Sequence, residues 1–236
     1  MADAPALDIR DLRFTYPASE SGAAPVIDIG SLRLGRGEQM LLTGGSGTGK
    51  STLLHLILGL MEPGAGEVRV AGKAVHSLHG AARDLFRGEH VGMVFQTFNL
   101  LHGFSALENV MAAMMFSKIA KKEHAPRARS LLEGLGITDV HKEPERLSVG
   151  QQQRVAVARA VACDPVLVLA DEPTASLDPE SASGAIDLIR RLCSEKNAAL
   201  LCVSHDPSMA SHFERRVSLT ELSASETRGG VAHGAH

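Results

Sequence analysis

At 236 residues, 44% of them hydrophobic, the chain has material for one large α/β domain or two small ones. Its formal net charge of −3 argues against a protein that coats nucleic acid by charge. The longest apolar run, Leu53 to Met61, is about half of the ~20 residues a membrane span needs, so membrane contact is expected only through a partner.

The opening Met-Ala-Asp-Ala-Pro-Ala has no basic stretch running into an apolar one, so no secretory signal is expected. Leu7, Ile9, Leu12 and Phe14 predict an extended segment, and Val26, Ile27, Ile29, Leu32 and Leu34 a second. Glu38 to Thr43 reads as a strand entering a glycine-rich loop, with a helix from Lys50 to Leu60 behind it. Glu62 to Gly66 is a turn by composition, and strands follow at Glu67 to Ala71 and Val91 to Phe95. From Thr97 to Cys163 the pattern is helical. Ser105 with Glu108 is a capping box opening a Met-rich helix to Ile119, and Lys121 to Leu135 is a second helix, stopped by Gly134 and Gly136. Ser148 with Gln151 is another capping box, opening the helix Gln151 to Ala162. Strand period returns at Val166 to Ala170. Asp178 and Pro179 start a helix to Lys196, and Ala198 to Ser204 is a last buried strand. Strands alternating with helices on both sides of a helical stretch imply a parallel sheet with a helical insertion. The Ser/Gly/Ala/His-rich stretch 223–236 reads as a disordered tail, its His233 and His236 as solvated side chains. Cys163, Cys193 and Cys202 lie far apart without metal-ligand spacing and read as small buried hydrophobes of a reducing compartment.

Two motifs carry chemistry. Gly44-Gly45-Ser46-Gly47-Thr48-Gly49-Lys50-Ser51 fits G-x-x-x-x-G-K-[ST] in full, between an apolar strand and a helix. Backbone N–H groups from Ser46 to Thr52 can converge on a phosphate there, reinforced by the helix dipole. Lys50 is expected to bridge the β- and γ-phosphates and the Ser51 hydroxyl to ligate Mg²⁺. The second motif is Val166 to Ala170 ending in Asp171-Glu172. A carboxylate at the tip of a strand next to the P-loop strand can hold the Mg²⁺ shell, and Glu172 is then placed to polarise the attacking water. Alone, Asp-Glu before Pro173 would more often be a helix cap; beside a full P-loop it reads as an NTPase element.

Leu147-Ser148-Val149-Gly150-Gln151-Gln152-Gln153-Arg154 resembles the LSGGQ signature of ABC ATPases, and the rest of that family's pattern appears in order from about Leu7 to Leu222. Tyr16 matches the aromatic that stacks on adenine, and Gln96, ending a strand, the Q-loop glutamine. Ser176-Leu177-Asp178 matches the D-loop, and His205 the switch histidine. The resemblance implies an α/β fold: a P-loop NTPase (RecA-like) core, an antiparallel β subdomain and an α-helical subdomain inserted at about 97–163. All lie in one nucleotide-binding domain, 1–222. It implies ATP and Mg²⁺, with Glu172, His205 and Gln96 catalytic and Ser51, Gln96 and Asp171 around the metal. ATP would be bound by Tyr16, by Gly44 through Thr52, and by Ser148, Gly150, Gln151 and Asp178. The signature of one subunit would face the P-loop of another in a homodimer holding two ATPs. Val149 departs from the pattern's glycine. A β-branched residue must keep an ordinary helical or extended backbone, which leaves its N–H available.

Lys142-Glu143-Pro144-Glu145-Arg146 lacks the element found before the signature in large fused exporters. Leu-Ser-x-Gly-Gln-Gln-Gln-Arg-Val with Ala-Asp-Glu-Pro-Thr-Ala-Ser-Leu-Asp is similar to the lipoprotein-release (LolD-like) and macrolide-exporter (MacB-like) ATPases, with the cell-division ATPase FtsE a near relative. That group implies a peripheral subunit on the cytoplasmic face of the inner membrane, driving a separate FtsX-like or MacB-like permease and, through it, a periplasmic adaptor. Nucleic-acid ABC ATPases carry coiled-coil insertions or fused halves, absent here, and a P-loop kinase fails on the signature and His205. In the family the stretch after Gln96 receives a permease helix. Phe98, Leu100, Leu101 and Phe104, apolar without helical period, are expected to form that groove, whereas Leu107, Val110, Met111, Met114 and Met115 read as one buried helix face.

Overall fold

In the computed structural model, residues 4–17 and 24–224 are described. Alternating apolar residues build the first sheet. Strand β1 (Leu7–Phe14) pairs antiparallel with β2 (Ile27–Leu34) from Leu7↔Leu34 to Phe14↔Ile27, burying Ile9, Leu12, Ile29 and Leu32 on one face. β3 (Gln39–Thr43) leads into the glycine-rich loop and helix α1 (Lys50–Ile57). β4 (Ala65–Val70) returns to the first sheet, followed by the short β5 (Lys73–Ala74). The β1–β4 register shifts between Arg10 and Arg13, where Asp11 has φ +48°. Gly66 faces this bulge so closely that a Cβ would lie 2.2 Å from the Asp11 carbonyl oxygen.

Helix α2 (Ala81–His90) and β6 (Val91–Val94) come next. Three helices then separate β6 from β7: α3 (Ala106–Met114), α4 (Lys121–Gly134) and α5 (Val149–Val161). Both capping boxes are complete: Ser105 and Ser148 each accept from the amide three residues on, and Glu108 and Gln151 reach back to the serine amides. β7 (Leu167–Asp171), α6 (Pro179–Glu195), β8 (Ala199–Ser204), β9 (Arg215–Ser218) and α7 (Leu219–Ala224) finish the described chain.

The first sheet runs β2-β1-β4-β5 and is antiparallel; the second runs β6-β7-β8-β3-β9 and is parallel. The parallel sheet separates two cores. Leu42, Leu167, Leu169, Leu201 and Val203 point to α1 and the first sheet, while Leu41, Val168, Ala170, Leu200 and Cys202 point to α3, α5 and α6. Because all its strands run one way, their C-terminal ends share one edge, where ligands of such sheets bind.

Several expectations need correction. β8 lies between β7 and β3, so the Asp171 strand is not next to the P-loop strand; Asp171 and Leu42 instead both pair with Val203. β6 stops at Val94, leaving Gln96 in an exposed turn beyond it. The signature helix starts at Val149, not Gln151, so Val149 and Gly150 lie in its first turn. α1 ends at Ile57 and α3 at Met114, both short of Leu60 and Ile119, and Met115 is exposed rather than buried. Phe98 and Leu100 are core, whereas Leu101 and Phe104 are exposed. Elements β5, α2, β9 and α7 were not expected, and α7 covers Ser223 and Ala224 of the predicted tail; the rest of that tail, with His233 and His236, lies outside the described residues. Cys193 and Cys202 are buried, Cys163 half-buried, and all three are free thiols. No helix among the described residues is long and apolar enough to cross a membrane.

Candidate functional site

The glycine-rich loop starts where β3 ends and closes at Gly49, which caps α1 in the left-handed conformation (φ +98°) without a side-chain cap. A Cβ there would lie 2.9 Å from the Val26 carbonyl oxygen, so only glycine lets the loop lie against the entry to β2. The first-turn amides of α1 are thus left to an anion rather than to a capping side chain. The Lys50 ammonium donates to the carbonyls of Gly44 and Gly45, both at 2.8 Å, and lies 3.8 Å from Glu172 Oε1. Thr48 Oγ1 donates to the Gly45 carbonyl at 2.9 Å. Ser46 and Gly47 form the exposed tip of the loop, Gly47 at φ +74° with open space around it.

At the tip of β7, Asp171 bonds the Ser51 hydroxyl. Burial pushes its carboxyl above the usual carboxylate range, against that hydrogen bond, and neighbouring Glu172 pushes it further. Glu172 takes a left-handed backbone (φ +45°), secured by its N–H to the Val203 carbonyl at 2.9 Å. Its buried carboxylate accepts from Ser204 Oγ at 2.9 Å, from the His205 amide at 3.0 Å and contacts His205 Nδ1 at 2.6 Å. The end of β8 therefore aims the acid at the end of β7.

Tyr16 is partly exposed just past β1, edge-on to Phe14 (centroids 5.0 Å apart), and its hydroxyl lies 2.8 Å from Thr52 Oγ1. The aromatic is thus fastened directly to the start of α1. The structure brings together Tyr16, the loop 44–49, Lys50, Ser51, Thr52, Asp171, Glu172 and His205. Ser148 and Gln151 instead bond each other at the exposed start of α5, with Val149 and Gly150 beside them. Asp178 caps α6 through the Ser181 amide at 2.9 Å. Gln96 is exposed, and its backbone carbonyl accepts from Ser176 Oγ at 3.0 Å. Sequence reasoning missed Ser204 and the Ser176–Gln96 link. An Oγ at the end of β8 was visible, but nothing in its spacing showed which acid it would meet.

The family model described as "ABC transporter" matches residues 27–175. A lipoprotein-releasing system ATP-binding protein LolD from Chromohalobacter salexigens is 42% identical over 203 residues, 85% of this chain and 85% of that protein. One of the same name from Nitrobacter hamburgensis is 42% identical, covering 91% of this chain and 93% of its own. Among solved structures, a dimeric ATP-binding cassette in a post-hydrolysis state with ADP and Pi superposes with a TM-score of 0.78 at 32% identity, covering 90% of this chain and 93% of that one.

Proposed function

The chain belongs to the ABC transporter ATP-binding family, and from that premise we propose that it hydrolyses ATP between two copies of itself to drive a separate membrane permease. The observation that carries this is the meeting, at the end of one parallel sheet, of Lys50, the Ser51–Asp171 pair and the Glu172–His205 pair. Loop amides from Gly44 to Thr52 wrap the phosphates, and Lys50 exchanges its two loop carbonyls for β- and γ-phosphate oxygens. Tyr16 stacks on adenine. Glu172 accepts the proton of the attacking water, and His205, already held by that carboxylate, contacts the γ-phosphate. Among the described residues no three His, Cys, Asp or Glu side chains gather as a metal cage. Mg²⁺ riding on phosphates needs none, and the Ser51 hydroxyl, Asp171 and Gln96 are the oxygens that would hold it. Bound there, the ion would neutralise charge on the β- and γ-oxygens.

Ser148 and the Gly150 amide, exposed at the start of α5, supply the other half of the site to a second copy, with Gln151 and Asp178 at the same interface. ATP closes the dimer, and loss of the γ-phosphate opens it. The chain acts at the cytoplasmic face of the inner membrane. The permease is of the FtsX-like or MacB-like kind, reaching a periplasmic adaptor beyond it, and the work is export, lipoprotein or lipid extraction, or force transmission. A permease helix docks on the apolar stretch after Gln96, at the exposed Leu101 and Phe104, with the cavity of ≈ 410 Å³ between α2, β6, α3 and α5, walled by Met93, Phe95, Ala113 and Phe116, as the alternative seat.

Sizing of the Glu172→Gln protein tests the assembly. With ATP and Mg²⁺ it should run as a dimer, with ADP as a monomer. A monomer under saturating ATP and Mg²⁺ would sink the sandwich.

A further inference from the structure

Phe98 and Asn99 stand consecutively at φ +60° and +48°, just past Gln96. Asparagine tolerates this conformation, but a bulky aromatic rarely adopts it, so something must hold the turn. That something is Arg159. Its Nη2 donates to the Phe98 carbonyl at 2.6 Å and its Nη1 to the Asn99 carbonyl at 2.5 Å, one planar fork gripping both strained residues. The guanidinium also sits 5.9 Å from the Phe95 ring centroid. Partial burial lowers its pKa. A half-buried guanidinium therefore spends its planar fork on two backbone carbonyls, while the Phe98 side chain itself lies in the core.

Arg159 belongs to α5, the helix capped by Ser148, about 16 Å away along its axis. The opposite end of the gripped segment, the Gln96 carbonyl, is held by Ser176, four residues after Glu172. Arg159 also lines the cavity between α2 and α5. One side chain therefore joins the helix bearing Ser148, the segment bearing Gln96 and the cavity wall.

We propose that Arg159 is a positioning residue for ATP hydrolysis, a strut that locks the Gln96–Asn99 segment to α5 so that Gln96 and Ser148 move as one body. It rests on the roles given above to Gln96 and Ser148. The strut predicts a split effect: turnover depends on it, nucleotide binding at the phosphate loop does not.

The test uses the full chain with Arg159→Lys and Arg159→Ala. Lysine can satisfy one carbonyl but not both, so it should fall between native and alanine. Expected for Arg159→Ala are an ADP Kd within about twofold of native, kcat lower by about tenfold to 10²-fold with KM little changed, and amide exchange at 97–101 faster by about tenfold. A folded Arg159→Ala with native exchange at 97–101 overturns the strut whatever the enzyme does. Faster exchange with native kcat overturns the positioning role. Parallel losses in Kd and kcat would mean a structural residue only, which also overturns it. If the alanine variant does not fold, the lysine variant decides by the same readings. Absence of ATPase in the native chain would sink the proposed function, while the exchange comparison would still judge the strut.

Discussion

Glu172 carries three hydrogen-bonding contacts on its carboxylate and a backbone twist that only its neighbours can hold, so its direction is set before any substrate arrives. If it is the base, Glu172→Gln keeps size and polarity but removes basicity. ATP binding should then persist while turnover falls by about 10²-fold or more, measured as steady-state phosphate release. Near-native turnover would reassign the base. Asp171 gives a second expectation, with a definite sign. Its folded pKa is raised by burial, so the folded chain holds that proton more tightly than the unfolded one. The stability this contributes is complete below the unfolded pKa and lost as pH rises through the folded pKa. At neutral pH the ionised Asp171 is therefore a cost to the fold. Asp171→Asn should raise Tm at pH 7, with the gain shrinking toward about pH 4, while hydrolysis falls by about 10–100-fold. A lower Tm at pH 7 would show that the charge is better compensated than burial implies. At this scale Lys50, Ser51, Asp171 and Glu172 were legible because their motifs are contiguous. The Tyr16–Thr52 and Ser204–Glu172 bonds were not, because each joins segments at least 32 residues apart.

The two capping boxes are a matched pair at the scale of the element. Ser105 and Ser148 accept the same third-residue amide at 3.3 Å, and each is answered by a Glu or Gln side chain. Ser105→Ala and Ser148→Ala should each lower stability by about 1 kcal/mol, a Tm shift of about 2–4 °C. Only Ser148→Ala should also weaken ATP-driven dimerisation in the Glu172→Gln background, because that cap doubles as a proposed phosphate donor. Equal loss of dimerisation in both would reduce Ser148 to a cap. Such boxes can be read from sequence because they are local. Helix α2 cannot: it buries only Phe86, and Gly88 interrupts it. That glycine exists for a tertiary reason, since a Cβ would lie 2.1 Å from the Phe116 carbonyl oxygen at the end of the α3 segment. Gly92 likewise admits the Ala160 carbonyl of α5 against β6.

For the whole molecule, alternating strand and helix periods announced a parallel sheet, but strand order is a long-range property, and the position of β8 between β7 and β3 had no sequence signal. The same limit split the apolar stretch after Gln96. Phe98 and Leu100 went to the core because the left-handed turn at Phe98 and Asn99 points the chain inward, while Leu101 and Phe104 remained 43% and 48% exposed. Their loop is not slack. Buried Asn109 donates to the carbonyls of Leu101, Phe104 and Ser105 and accepts from the Leu101 amide at 2.7 Å, so two apolar side chains are presented on a fixed frame. Phe116, which lines the cavity, is exposed, as is Met115 before it in the chain. If this face receives the permease, Leu101→Asp and Phe104→Asp should fold with native Tm within about 2 °C and bind ATP normally. They should also lose co-purification with the permease and its effect on ATPase rate. Phe98→Asp, which buries a charge in the core, should instead fail to fold. Unfolding of Leu101→Asp or Phe104→Asp would make both side chains structural. Folded variants that still couple would move the docking face to the Phe95–Phe116 wall of the cavity, where Phe116→Asp is then the decisive substitution.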